Sequence, residues 1–405
     1  MAELKELFEF FSSERADVRK MATAGIAQIS KDNSDLNTFV CKKENKDLVQ
    51  KFCDLIDPRL PKDIVQTLAD VLLALVNISV DTSCCETFVN HNVPLKLLKV
   101  YETLQVKGDE VQNSPVLCEL ALMALNNLTA VSSAACEQVL ELDDEDLAGY
   151  HFGRLKTHYD RSPDFFDAPA AEEENKEGEN KKQEDEDENT NSKNNNNKNT
   201  TSQASQRKWL LQVALNISRT MEGTRIFMED EEWRPIVPDL ISHPVPYIRG
   251  LGMQLVRNLA NYRDISHQQI VDELKCPAKV LYQITHAEDD VTMLHGWVDV
   301  LVSLITSESG MKGMDEINAK RALVPLVAES KKKHQEEATS KRGGKAVVEE
   351  LNDDGTSKES AAAASPASST RKTPLPYEVA KRLEEEILPY LDDIQDVWIN
   401  QEGDE

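Results

Sequence analysis

Ala74-Leu-Val-Asn-Ile-Ser79 decides the fold, because related segments return five more times along the chain. They are Gly25-Ile-Ala-Gln-Ile-Ser30, Ala124-Leu-Asn-Asn-Leu-Thr129, Val213-Ala-Leu-Asn-Ile-Ser218, Leu255-Val-Arg-Asn-Leu-Ala260 and Leu301-Val-Ser-Leu-Ile-Thr306. Each closes an apolar stretch of helical period with an Asn-like position, an apolar residue and a small residue. The anchor positions are Gln28, Asn77, Asn127, Asn216, Asn258 and Leu304, spaced 49, 50, 89, 42 and 46 residues apart. The long step is one period plus an insertion of about 40 residues. An all-helical period in the forties is that of armadillo and HEAT repeats, whose units bury their apolar faces only by stacking on neighbours.

Each anchor is followed by a short helical stretch, often with Cys or Phe, as in Cys84-Cys-Glu-Thr-Phe88 and Thr224-Arg-Ile-Phe-Met228. Shorter amphipathic stretches precede the anchor helices, and Pro61, Pro115 and Pro246 mark helix starts. No run alternates with period two, so no sheet is expected. The expected fold is all-α: an armadillo/HEAT-like right-handed α-solenoid of about six repeats over 1–330. The polar, Asn-rich tract 163–206 reads as a disordered insertion within it, since it has too little apolar surface to bury. A linker is expected over 331–373. A C-terminal amphipathic helix over 374–395 is expected to cap the solenoid.

The composition narrows the function classes. Hydrophobic residues make up 40% and aromatics 5%, a core of aliphatic side chains that suits stacked helices. The formal net charge is −26, which disfavours phosphate backbones and anionic membranes. Direct nucleic-acid or membrane binding is therefore not expected. No uninterrupted apolar run is longer than the six residues of Val71 to Val76, too short to span a bilayer. Seven cysteines without a C-x-x-C fit neither a disulfide framework nor a zinc site; buried thiols in a reducing compartment are expected. The Met1-Ala-Glu-Leu-Lys-Glu start lacks the features of a signal peptide, so the cytoplasm is the default address, with the nucleus left open.

No phosphate loop, dinucleotide fingerprint or nucleophile elbow occurs, so no catalytic residues, cofactor or metal are expected. His151 and His158, seven apart, share a helix face but read as surface histidines rather than a metal pair. The best binding candidates are Asn77, Asn127, Asn216 and Asn258. On groove-lining helices their amides can bond the backbone of an extended peptide. Equally, they can cap or bridge their own helix ends. Arg219 and Arg257 offer a charged fork to an acidic partner, or simply face solvent. Peptide-binding importin-type solenoids place Trp one turn before the Asn. Here Leu73, Met123, Gln212 and Gln254 stand there, which argues against a receptor for nuclear-import signals.

Taken in order, several of these segments resemble the HGH-one family of armadillo-like proteins. The resemblance rests on Val18-Arg19, Ala74-Leu-Val-Asn-Ile-Ser-Val-Asp81, Leu125-Asn-Asn-Leu-Thr129 with Cys136-Glu-Gln, Asn216 to Phe227, Arg249-Gly250, Arg257-Asn258 and His267. It spans about 1–307. It implies a folding cofactor of translation elongation factor two, adapting that client to the chaperonin TRiC, with no catalytic residues. The resemblance stops at two places. The family follows its Arg-Asn pair with paired cysteines and an aromatic, where this chain has Leu259 and Ala260. Its Leu/Pro-rich acidic stretch is also missing from Val271 to Asp290. A generic armadillo scaffold in trafficking or signalling is the alternative reading.

Overall fold

The computed structural model describes residues 2–31, 34–144, 146–162, 206–343 and 373–391. Every regular element among them is helical, so the fold is all-α, built of stacked helical repeats of the α-solenoid class. The insertion expected over 163–206 lies outside the described residues, except Gln206. That residue belongs to the next helix: its side chain accepts from Gln105 at 3.0 Å and donates to the Pro115 carbonyl at 3.2 Å. The chain divides into two compact units, Met1–Trp233 and Arg234–Glu405.

In the first unit the helices run α1 (Ala2–Glu9), α2 (Ala16–Ile29), α3 (Ser34–Cys41), α4 (Lys46–Cys53), α5 (Lys62–Ile78), α6 (Thr82–Val89), α7 (Val93–Val106), α8 (Ser114–Val131), α9 (Ser133–Leu140), α10 (Tyr150–Arg161), α11 (206–217) and α12 (Met221–Glu229). The anchor residues all fall near the C-terminal ends of α2, α5, α8 and α11. These helices stack in chain order, α2 on α5 and α5 on α8. Leu68, Val71, Leu72, Leu75 and Ile78 recur at helical spacing on α5 and are wholly buried. Phe8, Phe39 and Phe52 close the core under α1, with Phe8 and Phe39 ring centroids 4.8 Å apart. Starts are fixed locally. Asp81, Ser132 and Thr220 accept the N–H groups of Ser83, Ala135 and Gly223, each cap contributing about 1 kcal/mol. Gly223 has no alternative: a Cβ there would stand 2.1 Å from the Ile217 carbonyl oxygen.

One expectation about α8 needs correcting. Among the described residues this helix is long and apolar enough to cross a membrane by length and composition. Counting unbroken apolar runs missed it because Glu119, Asn126, Asn127 and Thr129 interrupt the run without lowering the average much. In this fold half of α8 is buried, with Leu117, Ala121, Leu125 and Leu128 facing the repeat core.

The second unit contains α13 (Ile236–Ile241), α14 (Pro246–Ala260), α15 (Arg263–Gln268), α16 (Cys276–Tyr282), α17 (Val291–Ile305), α18 (Glu308–Glu316), α19 (Ala319–Gly343) and α20 (Tyr377–Arg382). Anchor helices α14 and α17 pack together. The linker boundary at 331 is contradicted, because α19 stays helical to Gly343. Its Lys, Glu, Gln and Ala residues are good helix formers, and the Lys331–Glu384 ion pair holds it from outside. The rest of the expected linker, 344–372, lies outside the described residues. Beyond it α20 continues through a π-helical turn, Leu383–Ile387, to residue 391. Leu375, Val379, Leu383, Ile387 and Leu391 bury one face of it on α17 and α19. Arg382 ties it down, reaching Asp299 and Glu386 at 2.8 Å.

Candidate functional site

The Asn anchors form a ladder between repeats. Asn77 Nδ2 donates to Ser30 Oγ at 2.8 Å, and Asn127 Nδ2 to Ser79 Oγ at 3.0 Å. Asn216 Nδ2 reaches Thr129 Oγ1 at 3.1 Å, Asn126 O at 3.2 Å and Asn126 Oδ1 at 3.0 Å. In every case the acceptor hydroxyl stands two residues after the previous anchor. Each hydroxyl gives its own proton to a carbonyl one turn back: Ser30 to Ala27, Ser79 to Val76, Thr129 to Leu125. Its lone pair is thus turned towards the next repeat. The side-chain nitrogens of these three anchors all bond inside the protein, Asn77 once, Asn127 twice and Asn216 to three acceptors. Neither peptide binding nor capping of their own helix describes that use; they join one anchor helix to the one before.

A second donor reaches the carbonyl two residues after each of Asn77, Asn127 and Asn216. Cys85 Sγ donates to the Ser79 carbonyl at 3.1 Å, Cys136 Sγ to Thr129 at 3.5 Å and Thr224 Oγ1 to Ser218 at 2.8 Å. These satisfy carbonyls at helix C-termini that have no intrahelical partner. Arg19 and Arg249 do the same at the other end of their helices. Arg19 Nη1 bonds the Ser13 carbonyl at 2.6 Å, and Arg249 Nη1 bonds those of His243 and Pro244 at 3.0 and 2.8 Å. Arg249 also pairs at 3.0 Å with Glu288, both side chains nearly buried.

In the second unit the ladder changes form. Asn258 occupies the anchor place on α14, half-buried. Its successor is Leu304, which has no amide, and the residue two after Asn258 is Ala260, which has no hydroxyl. Both halves of the joint are missing together, and His267 replaces them. Its Nε2 lies 2.7 Å from the Ala260 carbonyl and its Nδ1 2.6 Å from Ser307 Oγ. Ser307 in turn caps α18, accepting the Gly310 N–H at 3.1 Å. Burial pushes the His267 pKa down, so the ring is neutral at pH 7. A carbonyl can only accept, so neutral His267 carries its proton on Nε2 and accepts from Ser307 at Nδ1.

The two candidate arginines are also engaged. Arg219 Nη1 donates to the Ala130 carbonyl across the repeat boundary. Arg257 Nη1 lies 3.4 Å from Asp299 Oδ2, and the same carboxylate takes Arg382. Arg257 remains more than half exposed, so its ion pair is worth only about 0.2–1 kcal/mol. His151 and His158 are not surface histidines, as expected from sequence; both are buried. His151 sits between two carboxylates, 2.9 Å from Glu102 and 2.7 Å from Glu141. His158 stacks edge-on against Tyr101, and burial lowers its pKa. Neither forms a metal site, and no cluster of three or more His, Cys, Asp or Glu residues able to hold a metal ion occurs among the described residues.

Alongside polar residues such as Asp70 and Glu119, α5 and α8 show several apolar side chains to solvent. On α5 the outward apolar residues are Ala69, Leu73 and Val76, with Val80 just past its end; on α8 they are Val116, Leu120, Met123 and Val131, with Glu119, Asn126 and Asn127 among them. Leu73, Val76, Leu120 and Met123 are half-buried, while Val80 is 76% exposed. On α2 Met21, 65% exposed, extends the row. Asp70 lies among these side chains, where burial raises its pKa and Lys20 opposes the shift. These residues, rather than the Asn ladder, form the candidate binding face. The sequence held part of the signal: α8 has one charged residue in eighteen, whereas a helix with one solvent face has a polar side. No family model matches the chain, and no curated protein matches it. Three engineered proteins from the Northeast Structural Genomics Consortium are among the similar solved structures. They are 14%, 12% and 13% identical, each with a TM-score of 0.47. The matches cover 76%, 77% and 81% of this chain and 100%, 98% and 74% of theirs. The fold class here rests on the helices themselves.

Proposed function

We propose that this chain is a protein-binding adaptor acting through the anchor-helix face of its first unit. The observation that carries the reading is the apolar row across α2, α5 and α8, with Leu73 and Met123 at its centre. Contiguous exposed apolar surface is a mark of an interaction site. A face made of parallel helices suits an extended apolar segment of another protein better than a small substrate, since it has no walls. The sequence resemblance sharpens the proposal: the client is translation elongation factor two, caught before it is native and passed to the chaperonin TRiC. Large multidomain proteins expose apolar segments in their folding intermediates, and these are what such a row would hold.

The test compares the protein with a Leu73→Glu, Met123→Glu variant. Each is immobilised and offered native or denaturant-unfolded elongation factor two, with and without purified chaperonin. The reading expects capture of the unfolded form, a ternary complex with chaperonin, and loss of both in the variant without loss of melting temperature. Equal affinity for native and unfolded client, with no chaperonin bound, refutes the folding-cofactor reading. Under that result the generic armadillo scaffold is the better account.

A further inference from the structure

Six of the seven cysteines are buried, and one is half-exposed. That one, Cys41, ends α3, and its Sγ lies 3.4 Å from Sγ of Cys84 in the first turn of α6. We propose that Cys41 and Cys84 are a modification site, a thiol pair that a peroxide converts into a disulfide clamping the first repeat to the second. The frame around them is already tight. Asn37 Nδ2 donates to Asp81 Oδ2 at 3.3 Å, and the Cys84 thiol also faces the Asn37 carbonyl at 3.6 Å. A bond of about 2.05 Å needs the sulfurs to close by little more than an ångström, within reach of small side-chain rotations.

The two thiols have different tasks. Cys41 is the one a soluble oxidant reaches. Its sulfur attacks one peroxide oxygen, the O–O bond breaks, and Cys41 becomes a sulfenic acid while the peroxide leaves as water or an alcohol. The Cys84 sulfur then attacks the sulfenic sulfur, the S–O bond breaks, and water leaves with the thiol proton. Two thiols lose two electrons and the peroxide gains them. Burial above all, with Cys41 and Asp81 adding to it, raises the pKa of Cys84, so it stays a thiol until a sulfenic partner stands beside it. Among the described residues no second pair of cysteine sulfurs is in contact. Burial pushes Cys53, Cys136 and Cys276 up to about 12, and Cys85 and Cys118 to about 11. Cys85 already gives its proton to the Ser79 carbonyl.

The experiment treats the folded, reduced protein with equimolar hydrogen peroxide, then alkylates and maps peptides by mass spectrometry. The expected product is a Cys41–Cys84 cross-link, reversed by dithiothreitol, with the other five thiols still alkylated. The linked residues are 43 apart, so the oxidised form should melt roughly 8–16 °C higher than the reduced one. Cys41→Ser removes the cross-link and the rise. Cys85→Ser, which keeps a donor for Ser79, retains both and rules out a link between adjacent cysteines. A sulfinic acid at Cys41 without a cross-link would overturn the proposal. So would a cross-link that forms as fast in urea-unfolded protein as in folded protein.

Discussion

Replacing Asn216 by Ala removes the most heavily used rung of the ladder. The side chain is 9% exposed, and its Nδ2 faces three acceptors between 3.0 and 3.2 Å. An amide nitrogen has two protons, so one is shared and the rung counts as two bonds. At a net 0.5–1.5 kcal/mol each, the loss is about 1–3 kcal/mol. That corresponds to a fall in melting temperature of about 3–10 °C, read by calorimetry or circular dichroism. Asn127→Ala, whose nitrogen meets one hydroxyl and one carbonyl, should cost somewhat less. Asn77→Ala, with the single bond to Ser30, should cost least, about 1 kcal/mol. A double-mutant cycle of Asn216→Ala with Thr129→Val should be non-additive, because both changes break one joint. If Asn216→Ala melts like the parent but binds client less per folded molecule, the joint is not structural and the reasoning fails.

Three further outcomes are expected. Burial lowers the pKa of His91, His158 and His267, so folding keeps them neutral. Their stabilising share is present above the unfolded-state pKa and is lost as pH falls through the lower folded-state values. Denaturant midpoints should therefore drop as pH goes from 7 to 5, and His158→Phe should flatten that drop. Glu288→Ala takes the counter-charge from the nearly buried Arg249 guanidinium, leaving it the His243 and Pro244 carbonyls, and should lower stability by about 3–5 kcal/mol, seen in urea titration; a change under 1 kcal/mol would show the pair to be dispensable. Arg257→Glu sets a like charge beside Asp299 but in an exposed place, so its melting temperature should fall by at most a few degrees, with the fall reduced by salt.

The architecture was legible because the repeat is written in the core. An apolar stripe marks every anchor helix, closed by Asn in four of the six, and the structure places each anchor near a helix end. The role of the Asn was not legible, because its partner lies a whole repeat away. Only the pairing of Asn at one anchor with Ser or Thr after the previous one gives it away, and Leu304 with Ala260 is the informative exception. The boundary at 331 failed because charged residues read equally as linker or as exposed helix. His151 and His158 misled because polarity suggested surface, while Glu102 and Glu141, which make burial tolerable, come from other helices. The residues that carry the family resemblance, Arg19, Asn77, Asn127, Cys136, Asn216 and Arg249, serve the joints between helices. They speak for the scaffold, whereas the apolar row that would touch a client is spelled in common residues, Leu, Val and Met, that carry no motif.

Because each joint is made of an amide on one repeat and a hydroxyl on the one before, the repeats are not interchangeable beads. A copied segment bearing both an anchor Asn and its following Ser or Thr, spliced between the second and third anchors, finds a mate on either side. The same segment spliced just after Asn258 offers its amide to Ala260, a methyl group. Growth or recombination of this array is therefore permissive at some seams and barred at others, and the chain carries its own rule for the order of its parts.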